Sequence, residues 1–418
     1  MHNALFYIIL GIIVIDFIIE RWLDYLNSRI LSIELPPELK DVYDAGQYKK
    51  SQEYKRVNDR FSWITSSFSF MLILGMLLFG GFSYVDNWVR SFTEHPILLA
   101  LLFFGILAIA SDILNLPFAV YDVFVIEEKF GFNKTTPRTF ILDKIKGWLL
   151  GAVIGGGILS LIIWFYQQTT TSFWLYAWIA VSLFTIFMTM FYSTLIVPIF
   201  NKQTPLEEGE LRNEIQRFSD KAGFKLGNIF VIDGSKRSTK SNAYFSGLGT
   251  RKRIVLFDNL IKDLSISEIV GVLAHEIGHY KKKHTLSGII TSILQTGITL
   301  YIFSLFVDNP HLSAALGSDK TSFHLGLIAF GILYSPISMI IGLFMNYFSR
   351  KHEYAADRFA KEKYNSEALI LALKKLSSKN LSNLTPHWLY VFFHYSHPTL
   401  LQRILALRQK DLSGNAEN

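Results

Sequence analysis

Long apolar runs alternate with charged stretches along this chain, and crossing a bilayer takes about 20 predominantly apolar residues. Seven runs fit: Ala4 to Ile19, Trp63 to Tyr84, Ile97 to Val120, Trp148 to Tyr166, Phe173 to Pro198, Leu286 to Phe306 and Phe323 to Met345. The first lacks a basic lead-in and a small-residue cleavage site, and Glu20-Arg21 follow it, so it reads as an anchor rather than a cleaved signal. The third contains Asp112 and Asn115. An ionisable group at that depth faces a bundle interior or a wet cavity, unless it lies near the end of a tilted helix.

Between the fifth and sixth runs the pattern changes to that of a soluble domain. Pro205 to Ala222 has the period of an amphipathic helix. Asn228 to Asp233, Ser241 to Gly249 and Arg253 to Asp258 read as short strands. Leu264 to Leu273 opens a helix, with a Ser before a Glu and then apolar residues. The chain after the seventh run is polar and helical. This predicts a mainly α, polytopic membrane protein in four parts. Residues 1–199 hold five spans, 200–285 the first part of a soluble α+β domain, 286–345 two further spans, and 346–418 its helical remainder.

Composition agrees with the pattern. Half of the 418 residues are hydrophobic and 18% are charged, and mean hydropathy is +0.29, too apolar for an ordinary soluble enzyme. No cysteine is present, which excludes disulfides and thiolate metal ligands. The net charge of +7 could suit nucleic acid. Its basic residues, however, gather between apolar runs and form no aromatic-basic groove, so the expected partner is membrane lipid and not nucleic acid. The loops after the first and third runs are rich in Lys and Arg, and those after the second, fourth and sixth are nearly free of them. The positive-inside rule then puts the N-terminus outside and the soluble domain and C-terminus in the cytosol. Seven spans give that parity.

The chemistry begins at His275-Glu276-Ile277-Gly278-His279. Residues i and i+4 share a helix face, so His275 and His279 can hold one Zn²⁺, with Glu276 as a base beside the activated water. Gly278 costs about 1 kcal/mol against Ala inside a helix, which suits a place where something approaches closely. A chance match would lack a third ligand. Glu353 and Asp357 share a helix face beyond the seventh run, with Arg350 one turn earlier. Alone they would read as surface charge pairs. Beside the two histidines, Glu353 completes a His₂Glu site and Asp357 accepts the other N–H of a ligating His. His397 precedes Pro398 at a helix start, and it or Arg403 could donate to an oxyanion; by itself such a His is a cap or surface residue. Asn242-Ala243-Tyr244 fits an edge strand of the kind to which proteases add an extended peptide. His284 is assigned to a helix end and His352 to a face away from the ligands.

Together, His275-Glu276-x-x-His279, Ser349-Arg350-x-x-Glu353-Tyr354-x-Ala356-Asp357, Ser241-Asn242-Ala243-Tyr244 and Ser396-His397-Pro398-x-x-x-x-Arg403 resemble the integral-membrane CAAX prenyl endopeptidases. Glu127 to Thr135 and Asp143-x-Ile145-Lys146 are similar to that family's membrane part. The resemblance implies seven transmembrane helices enclosing a chamber, with a gluzincin-like metalloprotease domain whose zinc faces inward. It implies one zinc on His275, His279 and Glu353, Glu276 as general base, and Asp357 beside the ligands. His397, Arg403, Arg350 and Asn242 would surround a peptide or protein substrate, with C-terminal prenylation left open. Gly414 to Asn418 carry no dilysine-type retention signal and the region before the seventh run lacks large insertions, which suits a compact prokaryotic version in a bacterial inner membrane rather than the endoplasmic reticulum; a monomer is expected. Two other readings are a quality-control protease of heat-shock type, against which five spans before His275 argue, and a transporter or scaffold with a decayed site, for which no inverted repeat is seen.

Overall fold

The computed structural model describes residues 3–30, 34–224, 228–247 and 253–409. The longer helices are α1 (Ala4–Arg29), α2 (Ala45–Leu78), α3 (Gly81–Arg90), α4 (Pro96–Tyr121), α5 (Pro137–Leu150), α6 (Gly156–Thr169), α7 (Phe173–Leu195), α8 (Glu210–Lys221), α9 (Ile266–Lys281), α10 (His284–Ser304), α11 (Phe323–Lys363), α12 (Ser366–Lys379), α13 (Trp388–His394) and α14 (Leu400–Arg408). The strands are β1 (Gln203–Pro205), β2 (Asn228–Ile232), β3 (Ala243–Ser246) and β4 (Arg253–Phe257).

Five helical stretches among the described residues are long and apolar enough to cross a membrane: Ala45–Leu78, Pro96–Phe130, Pro137–Phe200, His284–Ser304 and Phe323–Lys363. This establishes a mainly helical, multi-pass protein, counted differently from the seven runs of the sequence. The 64-residue stretch holds both the fourth and fifth runs. Its helix reverses at Thr170, where φ is +45°, and α6 packs back on α7. Helix α1 is not among the five, because Asp16, Glu20 and Arg21 interrupt its apolar run. It nevertheless packs on α2 and α11, and Ser335 on α11 donates to Asp16 at 2.9 Å. The second run also ends early. Gly80 at φ +66° breaks the helix after Leu78, so Tyr84 lies on α3. Many outer side chains here are large and exposed, Ile15, Ile64, Ile113, Leu183 and Ile340 among them, as expected of a surface solvated by lipid.

The soluble part is a four-stranded sheet of order β1-β2-β4-β3. β2 and β4 run parallel, and the two edge strands run antiparallel to them. β1 was not expected, since three residues carry no readable alternation. Helix α9 starts from a complete capping box, Ser265 with Glu268. It packs against β3, α8, α11 and α12, and its Ile269, Val270, Leu273 and Ile277 lie in the domain's core. Helix α11 is 41 residues long. The seventh apolar run and the Glu353–Asp357 segment therefore form one continuous rod, bearing Pro336 within it. One rigid element thus joins membrane and site.

Candidate metal centre and active site

Two glycines set how closely the helices meet. A Cβ on Gly278 would lie 3.0 Å from the Ala356 Cα and O and 3.1 Å from the Phe359 Cβ; one on Gly271 would lie 3.0 Å from the Leu369 N. Their absence lets the backbones of α11 and α12 approach the same side of α9.

That approach brings Glu353 to the two histidines. His275 Nε2 and His279 Nε2 are 3.1 Å apart. Glu353 Oε2 lies 3.4 Å from His275 Nε2, and its Oε1 lies 3.1 Å from His279 Nε2. Three ligand atoms from these residues fall within 4.8 Å of one another. Glu353 Oε2 is buried with no hydrogen-bond partner among the described residues. A buried carboxylate oxygen without a donor is costly unless a cation meets it, and two imidazoles with one carboxylate form a donor set of the zinc type. The residues fit a metal.

Behind the histidines lie different supports. His275 Nδ1 is 2.8 Å from Asp357 Oδ1. Arg403 grips the same carboxylate with Nη2 at 2.6 Å and Nε at 2.9 Å, and its Nη1 is 3.6 Å from Glu353 Oε2. Asp357, Glu353 and Arg403 are all buried. Burial and the Arg403 charge oppose protonation of His275, but the carboxylates of Asp357 and Glu353 beside it outweigh them and raise its pKa to about 9. The pocket therefore favours positive charge at this spot.

Glu276 is only partly buried and lines the cleft. Among the described residues its carboxylate forms no hydrogen bond or ion pair. The cleft has a volume of about 450 Å³. Asn242, Ala243, His397 and Arg403 also line it. His397 is exposed, its Nε2 3.4 Å from Glu353 Oε1, and its Nδ1 meets Ser396 Oγ at 2.9 Å.

Two residues expected at the substrate lie elsewhere. Tyr244 points to the other side of β3, where it packs beside Val197, Ile232 and Val255; alternation along a strand requires this once Ala243 faces the cleft. Arg350 does not line the cleft. It donates to the carbonyls of Tyr395 at 2.6 Å and Val391 at 3.4 Å, tying down the segment that leads to His397. Conversely, His284 and His352 do line the cleft. Their spacing from the motifs carried no signal, because they meet only through the tertiary fold. Asp112 pairs with Lys144 at 2.6 Å and accepts from Trp148 Nε1 at 3.0 Å.

A multi-pass helical protein with two histidines and a glutamate converging beside a free carboxylate is a membrane metalloprotease. It belongs to the CAAX prenyl protease family. Residues 24–202 match the description "CAAX prenyl protease N-terminal, five membrane helices", and residues 205–411 match Peptidase family M48. The chain is 36% identical to CAAX prenyl protease 1 of Saccharomyces cerevisiae, over 96% of this chain and 94% of that one. It is 31% identical to the human CAAX prenyl protease 1 homolog, covering 95% and 94%. The crystal structure of S. mikatae Ste24p superposes with a TM-score of 0.90 at 36% identity, covering 97% of this chain and 99% of that one.

Proposed function

We propose that this enzyme cleaves a peptide bond in the cleft, with one zinc ion held by His275, His279 and Glu353 and with Glu276 as general base. The observation that carries this reading is the buried Glu353 carboxylate, its Oε2 beside His275 Nε2 and its Oε1 beside His279 Nε2, with Oε2 lacking a hydrogen bond among the described residues. Bound there, zinc supplies a Lewis acid that polarises a carbonyl and lowers the pKa of water. Glu276 takes the proton of the attacking water and passes it to the leaving amine. Asp357 accepts the Nδ1–H of His275, which fixes the tautomer and would leave the Nε2 lone pair for the ion. Arg403 holds Asp357 by two bonds and keeps Nη1 for the cleft, while His397 donates from the rim to the oxyanion.

The substrate adds along β3. Among the described residues that strand is paired only with β4, so its other edge can accept an extended peptide beside Asn242 and Ala243. Beyond Phe245 and Thr285 a second cavity of about 460 Å³ is walled by Met188 and Tyr192 of α7 and by Tyr244. Its aromatic lining and contact with a membrane helix suit a lipidated segment, in keeping with the name of the relatives. The N-terminus is outside and the site cytosolic, within a bundle of seven spans enclosing a chamber, and the chain works as a monomer. Purified protein in detergent is assayed by mass spectrometry on a farnesylated CAAX peptide and its unprenylated twin, with E276Q as control. Loss of the last three residues from the farnesylated peptide alone is expected. Cutting of both peptides would remove the lipid requirement, and full activity of E276Q would overturn the base.

A further inference from the structure

Among the described residues no carboxylate stands behind His279. Its Nδ1 lies 3.0 Å from Nδ1 of His284, and the His284 ring is stacked on that of His352, centroids 4.0 Å apart and planes 8° from parallel. In an unbroken helix residues i and i+5 are about 140° apart around the axis and do not meet. Here they meet because the chain turns between α9 and α10 at Lys283, a non-glycine residue at φ +59°. A lysine in the left-handed region is strained, so the surrounding structure sustains this turn. His352 precedes Glu353 in sequence, so the stack joins the start of α10 to the segment that carries the third ligand.

We infer that His284 is a positioning residue for the metal site: its neutral Nδ1 accepts the Nδ1–H of His279, and His352 holds its ring plane. The inference rests on the proposed role of His279 as a ligand. The tautomers follow from the proposed ligation. With a metal on its Nε2, His279 would carry its proton on Nδ1, so His284 Nδ1 must present a lone pair and carry its own proton on Nε2. One ligating histidine is then oriented by an anion, Asp357, and the other by a neutral ring. The ligand side of the site gains an oriented imidazole without a further negative charge.

The test is zinc affinity of the full-length protein in detergent, measured by competition with a chromophoric chelator, beside thermal unfolding of the metal-free forms. His284→Ala is expected to weaken zinc binding about 10- to 100-fold. His284→Asn, whose side-chain oxygen can accept near the place of Nδ1, should return to within a few-fold of the parent, a rescue that a purely space-filling role would not give. His352→Phe, which keeps a flat ring, should bind more tightly than His352→Ala. Zinc held by His284→Ala as tightly as by the parent would overturn the inference, as would His284→Asn binding no better than His284→Ala. If His284→Ala does not fold, His284→Gln moves the acceptor one bond outward, and equal affinity in the Asn and Gln variants would overturn it. His279→Ala is the control for the ligand reading itself: retained zinc there would overturn that reading and the inference together.

Discussion

Asp357 is the residue on which the site's electrostatics turn, because it serves His275 and a buried arginine at once. Replacing it with Asn keeps an acceptor near His275 but removes the charge that Arg403 needs. Breaking a buried pair on one side costs about 3–5 kcal/mol, so D357N should unfold at a clearly lower temperature and bind zinc roughly 10-fold more weakly or worse. Calorimetry and chelator competition would check the two effects separately; a variant unchanged in both would show that Arg403 finds another partner. The sequence made His275, His279, Glu353 and Asp357 legible because helix periodicity alone aligns each pair. Tyr244, Arg350, His284 and His352 were not legible in the same way. The first depends on which face of a strand is turned inward, the second on a loop some 45 residues away, and the last two on a turn whose left-handed lysine has no sequence signature.

At the scale of elements, α9 is the piece that must be placed accurately, and its glycine contacts and its cap do this. Gly278→Ala should gain about 1 kcal/mol of helix propensity and lose more, about 1–3 kcal/mol, by pressing on the Ala356 backbone. Because α11 would move outward with Glu353, zinc affinity should fall as well; a variant that is more stable and binds zinc normally would refute this. The cap predicts a pH effect. Glu268 is buried, accepts from the Ser265 amide at 2.8 Å and pairs with Lys375 at 2.7 Å. Burial raises its pKa, but the bonds from Lys375 and Ser265 outweigh it and hold the carboxyl below its ordinary value. A pKa depressed on folding stabilises the protein above the unfolded value, about 4.3, and the benefit is lost as pH falls through the folded one. E268Q should therefore cost about 1 kcal/mol at pH 7, and the gap in melting temperature from the parent should close below about pH 4. A gap independent of pH would show that the charge is not what stabilises the cap. Helix length was the least legible feature here. A polar–apolar boundary at Met345 reads as an end, whereas α11 continues through it because no glycine or proline interrupts residues 346–363.

At the scale of the molecule, the polar connection from Glu127 to Asp143 binds the membrane part to the sheet. Arg237 makes a bidentate pair with Asp143 at 2.8 and 2.9 Å. Lys240 reaches Glu127 at 2.8 Å and the Tyr54 hydroxyl at 3.0 Å, with its ammonium 4.5 Å from the centre of the Phe132 ring. Backbone bonds from Thr239 to Phe132 and from Lys134 to Arg237 close the strap between them. Asn242 and Ala243 follow Lys240 after one residue, Ser241, so the strap sets where the open edge of β3 stands relative to His275 and His279 on α9 and Glu353 on α11. None of its residues is a ligand. K240M should consequently keep its zinc and its far-ultraviolet circular dichroism, while the position of β3 loosens. If the peptide binds along that edge, KM should rise about 10-fold, equivalent to about 1.4 kcal/mol of lost binding, with kcat changing much less. Steady-state kinetics with metal content measured on the same preparation would decide it. A fall in kcat with unchanged KM would mean that the strap acts on the catalytic groups themselves, and no change in either would place the peptide away from β3.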